Sequence, residues 1–223
     1  MKIATWNLER PTPSSKTKNG KIIESLQSID ADILILTETN AIVNPGAAYM
    51  DYATISLDFW PEPYYKPGEN RTTIWSKYAI TEQVTTYDAF TAVCGVIQTP
   101  LGPITVYGTI IGIHANRRAS FDIDLNKQLA DWETLIGIGN TCIAGDFNIS
   151  FADNYYYTKT GRNAISQFFK KHQLVNLTHD IPQNIDHIVI SKALIEQADL
   201  QISTWNEDKK LSDHIGVCVS IQG

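Results

Sequence analysis

The segment TCIAGDFNIS, residues 141–150, places an acidic residue and an amide directly behind a short apolar run. Residues 142–144 have the length and the apolar character of a buried strand. Asp146 and Asn148 follow at the point where that strand is expected to end. Since Asp and Asn are common turn formers and helix caps, this segment alone does not decide between a structural and a chemical role.

The same arrangement recurs at four other apolar runs of the chain. Polar residues lie next to residues 3–6 (Asn7), 33–36 (Thr37 and Glu38), 188–190 (Asp186 and His187) and 215–217 (Ser212, Asp213 and His214). A carboxylate such as Glu38, which follows four apolar residues, is poorly placed to reach solvent. Because the strand ends of one sheet sandwich can converge on a common cleft, these five positions together predict a shared site.

Short runs rich in isoleucine and valine predict buried strands along the whole chain. They cover residues 3–5, 33–36, 73–75, 93–97, 104–111, 142–144, 188–190, 200–202 and 215–221. Helical periodicity is present at residues 22–29, 125–136 and 165–171, and the turn residues at 98–103 predict a hairpin, whereas the proline-rich residues 44–68 are expected to be irregular. The pattern predicts a single α/β domain over residues 1–223, with two packed sheets and helices outside them.

The composition excludes several classes of protein. The 223 residues include 18 basic and 24 acidic side chains, which give a net charge of −6, and 43% of them are hydrophobic. These figures exclude a disordered chain, a coiled coil and a protein that coats nucleic acid by charge. Phosphate groups must therefore be bound by local residues or through a metal ion.

The cysteines and the N-terminal residues indicate a location. Cys94, Cys142 and Cys218 lie in apolar runs without a CxxC motif, as is typical of buried thiols in a reducing compartment. Residues 1–10 are too polar for the apolar region of a signal peptide, and no apolar run is long enough to span a membrane. We expect a cytoplasmic protein with no membrane span and no obligate protein partner.

Five short motifs carry a resemblance to a known family. They are TWNL from residue 5, TET from residue 37, GDFN from residue 145, IDH from residue 185 and SDH from residue 212. Their types and order resemble those of the endonuclease/exonuclease/phosphatase superfamily, the deoxyribonuclease-I-like metal-dependent phosphoesterases. The resemblance spans Asn7 to His214 and implies an α/β fold, a four-layer α/β/β/α sandwich of two packed mixed sheets with the active site on one edge.

The resemblance also implies a divalent metal site, with Mg²⁺ as the expected ion and Mn²⁺ as a substitute. Glu38 is the candidate ligand, because Mg²⁺ prefers hard oxygen ligands and commonly takes only one or two protein carboxylates. Asn7 and Asp213 would complete or orient the shell of ligands. Asn7 is in addition a candidate catalytic residue.

The remaining motif residues are candidates for the chemical step. Asp146 would orient or deprotonate the attacking water, and Asn148 would hold a phosphate oxygen or a second metal position. His214 would donate a hydrogen bond to a nonbridging phosphate oxygen, with Asp186 as the partner that keeps it protonated, as the Asp–His pair of the family implies. His187 faces the opposite side of its strand from Asp186 and is interpreted as structural.

One position of the family pattern has three candidates in this chain. Relatives place a tyrosine or histidine after the strand that corresponds to residues 104–111, where it contacts the phosphate or the leaving group. Tyr107 fits this role by residue type, Thr109 by distance along the strand, and His114 by distance to the following helix. The three stay alternatives at this point.

Several basic residues are weighed as contacts to substrate. Arg117 and Arg118 lie in a loop on the expected edge, where phosphate contact and a solvated approach to a helix are equally good readings. Arg71, just before a predicted strand, matches a position near the mouth of related sites. The lysine pairs at 170–171 and 209–210 are assigned to solvated surface.

The leading hypothesis is a Mg²⁺-dependent phosphoesterase that cleaves phosphodiester or phosphomonoester bonds, most of all a nuclease acting on DNA, RNA or nucleotides. A small-molecule phosphatase or phosphodiesterase, for an inositol phosphate or a phospholipid headgroup, is the second reading, and a non-catalytic binding scaffold is the third. The negative net charge and the small number of arginines favour small or single-stranded substrates over a long duplex. Aromatic residues at 60–65 and 151–157 would stack nucleobases or pack under their loops.

Overall fold

The computed structural model describes residues 1–59, 64–113, 119–136 and 139–222. The strands are β1 Lys2–Asn7, β2 Ile33–Asn40, β3 Met50–Ala53, β4 Glu69–Ser76, β5 Ile80–Val84, β6 Val93–Thr99, β7 Gly102–Ile110, β8 Thr141–Asp146, β9 Leu174–Asn176, β10 Asp186–Ser191, β11 Asp199–Trp205 and β12 Gly216–Gln222. The helices are α1 Lys16–Ile29, α2 Ala119–Leu135 and α3 Lys159–Lys171, with short 3-10 turns at Leu57–Phe59 and Lys192–Leu194. In these described ranges no helix has both the length and the apolar character that crossing a membrane requires.

The strands form two six-stranded sheets that are built alike. The first has the order β11-β12-β1-β2-β4-β3 and the second the order β5-β6-β7-β8-β10-β9. Each has one parallel pair near its centre, β1–β2 joined through α1 and β7–β8 joined through α2, and the other neighbouring strands are antiparallel. The predicted hairpin is confirmed, since Ile97 of β6 lies opposite Ile104 of β7.

Three apolar clusters separate four layers. Aliphatic side chains of both sheets, among them Ile35 and Val106, form the cluster between the sheets. Leu26 of α1 packs on the outer face of the first sheet, and Trp132 of α2 and Phe168 of α3 pack on the outer face of the second. The predicted four-layer α/β/β/α sandwich of two mixed sheets is therefore confirmed.

The alternation of side chains along the strands carries polar residues to the edge of the inner cluster. Successive side chains of a strand face opposite sides, so positions two apart share a face. In three strands, buried residues of the inner face are joined at this spacing by a polar residue of the site. Asn7 follows Ile3 and Thr5, Asp146 follows Cys142 and Ala144, and Asp186 precedes Ile188 and Ile190. The polar ends of both sheets consequently lie beside the same gap.

Three short strands were not predicted from the sequence. β3 lies inside residues 44–68, which were expected to be irregular, and β5 and β9 carry no long apolar run. All three are sheet edges; β3 and β5 bury few of their side chains, and β9 is only three residues long. The signal from apolar periodicity is accordingly weak at these positions.

Gly145 allows β8 to pass close to β7 just before Asp146. Its φ of +133° is a conformation that residues with a Cβ rarely adopt, and a Cβ built there would lie 2.0 Å from the carbonyl oxygen of Thr109. Gly20, in the middle of α1, has no atom within 4 Å of a Cβ built in the same way. The two glycines form a matched pair for substitution.

Gly145→Ala is expected to lower the free energy of unfolding by at least about 3 kcal/mol, because backbone strain and the clash with Thr109 add. Urea denaturation measures this change. Gly20→Ala, the control, is expected to raise the free energy by about 0.5–1 kcal/mol, as for a glycine replaced within a helix. A Gly145→Ala protein that unfolds at the urea midpoint of the original chain would contradict this backbone path.

Candidate active site

An ion pair joins the two sheets at the polar edge. His214, in the loop before β12 of the first sheet, places its Nδ1 2.5 Å from Oδ2 of Asp186, the first residue of β10 in the second sheet. Burial opposes protonation of the imidazole, but the negative charges of Asp186 and Asp146 outweigh it and raise the pKa of His214 to about 10. His214 is therefore a cation at neutral pH and donates its Nδ1 proton to Asp186.

The second ring nitrogen of His214 is oriented away from this pair. Nε2 lies 3.8 Å from Oδ1 of the exposed Asp213, which is too long for a hydrogen bond. Both nitrogens of an imidazolium carry a proton. Nε2 of His214 can thus donate to an acceptor in the cleft while Nδ1 is held by Asp186.

Buried hydrogen bonds fix the backbone around His214. The Ser212 hydroxyl donates to the carbonyl of Asn7 over 2.6 Å and accepts from the backbone N–H of His214 over 3.1 Å. Trp6 donates its indole N–H to the carbonyl of His214 over 3.1 Å. The serine of the SDH motif and the tryptophan of the TWNL motif thereby position the histidine.

Asp146 is a buried carboxylate with two fixed donors. Its Oδ2 accepts from the side-chain amide of Asn7 over 3.1 Å, and its Oδ1 accepts from the backbone N–H of Asn148 over 2.8 Å. Asn148 has a φ of +52°, which turns the chain sharply after β8. Burial, with a smaller contribution from the charges of Asp186 and Glu38, raises the pKa of Asp146 to about 7, while His214 acts in the opposite direction.

Glu38 lies beside these groups and turns out of the strand alternation. Its φ of +47° interrupts the regular alternation within β2, which pairs again with β4 at Thr39, and the residue is half-buried. Burial raises the pKa of Glu38, while a hydrogen bond from Asn7 and the charge of His214 partly offset the effect. The structure thus brings together seven predicted residues, namely Asn7, Glu38, Asp146, Asn148, Asp186, Asp213 and His214.

The donor set of this cluster fits a divalent cation. Its four carboxylates exceed the positive charge of His214 and of Arg10, whose backbone N–H also donates to the carbonyl of Glu38. Within the described ranges, no three acidic, histidine or cysteine side chains are grouped closely enough to hold a metal by themselves. Mg²⁺ requires no such group, because it commonly binds one or two carboxylates and keeps several waters. Glu38, with Asn7 and Asp213, is the set that could hold it.

Two of the three candidates for the leaving-group position are not brought to the cluster. The hydroxyl of Tyr107 donates to Asp131 over 3.0 Å, and the hydroxyl of Thr109 donates to Gln128 over 2.8 Å. Both partners lie on α2, so these side chains face the outer helical layer rather than the gap between the sheets. This placement corrects both assignments, and the alternation of β7 is its physical reason. The third candidate, His114, lies outside the described residues.

The predicted arginine contacts have different outcomes. Arg117 and Arg118 lie outside the described residues. Arg71 is buried within β4, where its guanidinium donates to the hydroxyls of Thr91 over 2.8 Å and Tyr65 over 3.0 Å. These contacts give Arg71 a role in supporting the surrounding loops and do not direct it at the cluster.

A cleft extends from Asp186 and His214 along residues that were not among the predicted site residues. Its further lining includes Tyr155, Tyr156, Gln183, Asn184 and Lys209. Lys209, which was assigned to solvated surface, is half-buried with a φ of +52° and also lines this cleft. The sequence offers no signal that separates it from the adjacent Lys210.

Sequence comparison agrees with the motifs from which the site was predicted. Residues 4–214 match the model of a family described as the Endonuclease/Exonuclease/phosphatase family. The chain belongs to this family. Its members are hydrolases that act on phosphate esters, and they are generally dependent on a divalent metal. Comparison with curated protein sequences gives no significant match.

Solved structures share the fold at low sequence identity. An endonuclease/exonuclease/phosphatase from Beutenbergia cavernae DSM 12333 is 17% identical with a TM-score of 0.71, over 100% of this chain and 72% of that one. The endonuclease domain of TRAS1, a telomere-specific non-LTR retrotransposon, is 15% identical with a TM-score of 0.68, over 99% and 97% of the two chains. A humanized TDP2 of D. rerio is 11% identical with a TM-score of 0.66, over 100% and 99%. At these identities the likeness shows the fold alone.

His187, the neighbour of Asp186 in this family member, is buried on the other face of β10. Its Nε2 lies 2.8 Å from the carbonyl of Ile149, to which it can only donate, and its Nδ1 lies 3.0 Å from the hydroxyl of Thr178. Burial lowers the pKa of His187 to about 4, although Asp186 opposes this shift and His179 adds to it slightly. The side chain is therefore neutral and ties β10 to the loop after Asn148, which agrees with its structural interpretation.

This buried histidine makes stability depend on pH. An unfolded histidine binds its proton near pH 6.5, whereas folded His187 binds one only near pH 4, so its contribution is complete above 6.5 and is lost between those values. The loss is about 3 kcal/mol. Urea denaturation at pH 7 and pH 4 is expected to show a smaller decrease for His187→Gln than for the original chain. Equal decreases for the two proteins would refute the assignment of a neutral buried imidazole.

Proposed function

We propose that this family member hydrolyses phosphate ester bonds of DNA, RNA or nucleotides with Mg²⁺, for which Mn²⁺ can substitute. The observation that carries the proposal is the His214–Asp186 ion pair beside the buried carboxylate of Asp146. Cleavage of a phosphate ester requires stabilisation of the phosphoryl oxygens and a positioned water. This cluster holds one proton donor and one proton acceptor at the same edge of the sheets.

Asp146 is the proposed acceptor for the proton of the attacking water. The N–H groups of Asn7 and Asn148 hold its carboxylate in one orientation, and its remaining lone pairs are free to accept from a water. As the water oxygen bonds to phosphorus, one of its protons passes to Asp146. The ester P–O bond breaks with its electron pair on the leaving oxygen, which then takes a proton from solvent.

His214 is the proposed donor to a nonbridging phosphate oxygen. Asp186 accepts from Nδ1 and keeps the ring protonated and oriented, so Nε2–H can donate to the phosphate throughout the reaction. Glu38, with Asn7 and Asp213, would hold the metal ion. Mg²⁺, when bound there, supplies neutralisation of the charge on the phosphoryl and leaving oxygens.

A small phosphate ester, such as an inositol phosphate or a phospholipid headgroup, is the second candidate substrate. The observation that favours it is the net charge of −6, which repels a long polyanion outside the immediate site. A non-catalytic scaffold is disfavoured, because burying carboxylates costs stability that such a role does not use. Three buried free cysteines support a reducing compartment such as the cytoplasm.

Asp146→Asn is expected to lower kcat about 100- to 10,000-fold on a phosphodiester substrate, because the acceptor for the water proton is removed. The free energy of unfolding should fall by no more than about 1.5–3 kcal/mol, because the asparagine keeps one acceptor oxygen and loses a single hydrogen bond to the carboxylate. Steady-state kinetics and urea denaturation measure the two effects. Asp180→Asn, which alters an aspartate with 89% side-chain exposure, is the control. Near-normal turnover of Asp146→Asn would rule out its role in activating water.

Removal of divalent ions with a chelator is expected to stop hydrolysis, and added Mg²⁺ should restore it. Glu38→Gln should weaken Mg²⁺ binding at least about tenfold, because the charged ligand is lost. Isothermal titration calorimetry measures this binding independently of activity, with Glu24→Gln on the exposed side of α1 as the control. Full activity in chelator, or unchanged Mg²⁺ affinity of Glu38→Gln, would contradict the metal site.

A further inference from the structure

The cleft that Asp186 and His214 line is bordered by a lysine and a tyrosine in mutual contact. Nζ of Lys209 lies 3.4 Å from the hydroxyl of Tyr155 and 4.9 Å from the centre of its ring. We refer to Lys209 and Tyr155 together as the cleft pair. Its two members come from different loops, one before β12 and one before α3.

Lys209 differs in charge environment from the lysine next to it. Lys210 forms a salt bridge of 2.7 Å with Asp208 and its side chain is 79% exposed. Lys209 forms no salt bridge with any residue that the structure describes, and it lines the cleft instead. A cation–π contact at a partly exposed site contributes only about 0.5–1 kcal/mol, so it does not compete with a phosphate for the ammonium group.

The position of Lys209 is tied to that of His214. The side-chain amide of Asn206 donates to the carbonyls of Ser212 over 2.8 Å and of His214 over 2.7 Å. The backbone N–H of Lys209 in turn donates to the carbonyl of Asn206 over 2.9 Å. One hydrogen-bonded loop therefore presents both the proposed donor to the scissile phosphate and the uncompensated cation.

The position of Tyr155 is fixed from the opposite side of the cleft. Oδ1 of Asp153 accepts from the backbone N–H of Tyr155 over 2.9 Å, and Oδ2 accepts from that of Gln183 over 2.8 Å. The neighbouring Tyr156 exchanges two hydrogen bonds with the buried Ser150, which follows Asn148 closely. Tyr155 nevertheless keeps 49% of its surface exposed, so part of its ring can contact a ligand.

We propose that the cleft pair binds single-stranded nucleic acid beside the scissile bond, with Lys209 contacting the neighbouring phosphate and Tyr155 stacking on a base. The inference rests on the proposed function and assigns its substrate class. An ammonium group and a phosphate form a charge-assisted contact, and an aromatic ring stacks on any base because every base has a π-face. The substrate is single-stranded because a base within a duplex cannot place its face against a side chain.

The test compares Lys209→Gln with Lys210→Gln, which make the same change of charge at adjacent positions. The substrates are octathymidylate and methyl 4-nitrophenyl phosphate, which has one phosphate and no neighbouring one. The loss of kcat/KM caused by Lys209→Gln should be about tenfold larger on octathymidylate than on the small ester. Lys210→Gln should change kcat/KM on octathymidylate less than twofold.

Two further measurements address the electrostatic and stacking contacts separately. The slope of log kcat/KM against log NaCl concentration on octathymidylate should become shallower by about 0.7 for Lys209→Gln, as for one lost phosphate contact with a single strand. Tyr155→Leu should lower kcat/KM on octathymidylate about tenfold through loss of stacking, with a smaller change of the salt slope. Circular dichroism and thermal melting verify that the variants are folded.

The outcomes separate this inference from the proposed function. One outcome is that the original chain cleaves octathymidylate with the same kcat/KM as both lysine variants. In that case the binding role proposed for the cleft pair is wrong, and the proposed function stands. If only the small ester is cleaved, the assigned substrate class is wrong. If neither octathymidylate nor the small ester is cleaved with Mg²⁺ or Mn²⁺, the proposed function fails. Fluorescence anisotropy with labelled octathymidylate then tests whether the cleft pair binds single-stranded nucleic acid. Binding of octathymidylate that is about tenfold weaker for Lys209→Gln, but not for Lys210→Gln, would support the cleft pair. Equal affinities of the original chain and both variants would overturn it.

Discussion

Face-to-face packing of the two sheets is the constraint on which the rest of this molecule depends. Each strand must alternate its side chains, and the inner positions fill with aliphatic residues until the strand reaches the edge of the sandwich. Where that row ends, the same alternation presents Asn7, Asp146 and Asp186 to a gap between the sheets. Contacts across that gap, such as Asn7 to Asp146 and His214 to Asp186, require both sheets to be in place.

Burial then gives these groups their chemical character. The loss of solvent raises the pKa of Asp146 and of Glu38, because neither carboxylate has a full set of donors to replace water. His214 responds in the opposite sense, since the surrounding negative charge outweighs its own burial and keeps it protonated. One imidazolium does not neutralise four carboxylates. Part of the net charge of −6 is thus concentrated at a single edge, where the proposed divalent cation would offset it.

The sequence predicts those parts of the fold and the site that are governed by burial. Isoleucine and valine mark the inner strands, and polar residues directly before or after them mark the edge. Edge strands such as β3 lack this signal because few of their side chains are buried. The direction of Tyr107 depends on which face of β7 packs on α2, and that requires knowledge of the partner layers. The difference between Lys209 and Lys210 lies in the loop structure, since Lys209 has a φ of +52° and lines the cleft, whereas Lys210 pairs with Asp208.

The groups proposed for catalysis and those proposed for substrate binding consequently lie in different parts of the structure. The groups proposed for the chemical step lie at or beside strand ends, so sheet packing constrains them, and the fold is shared with structures that are only 11–17% identical. Lys209 and Tyr155 instead lie on loops held by Asn206 and Asp153, whose side chains bond to nearby backbone groups. Asn206 also holds the carbonyl of His214, so its replacement would disturb the proposed donor as well. The side chains of Lys209 and Tyr155 make none of these hydrogen bonds to the backbone, and they can change without altering the sheets. Under the two proposals, substrate preference can therefore vary at Lys209 and Tyr155 while the groups proposed for the chemical step stay fixed.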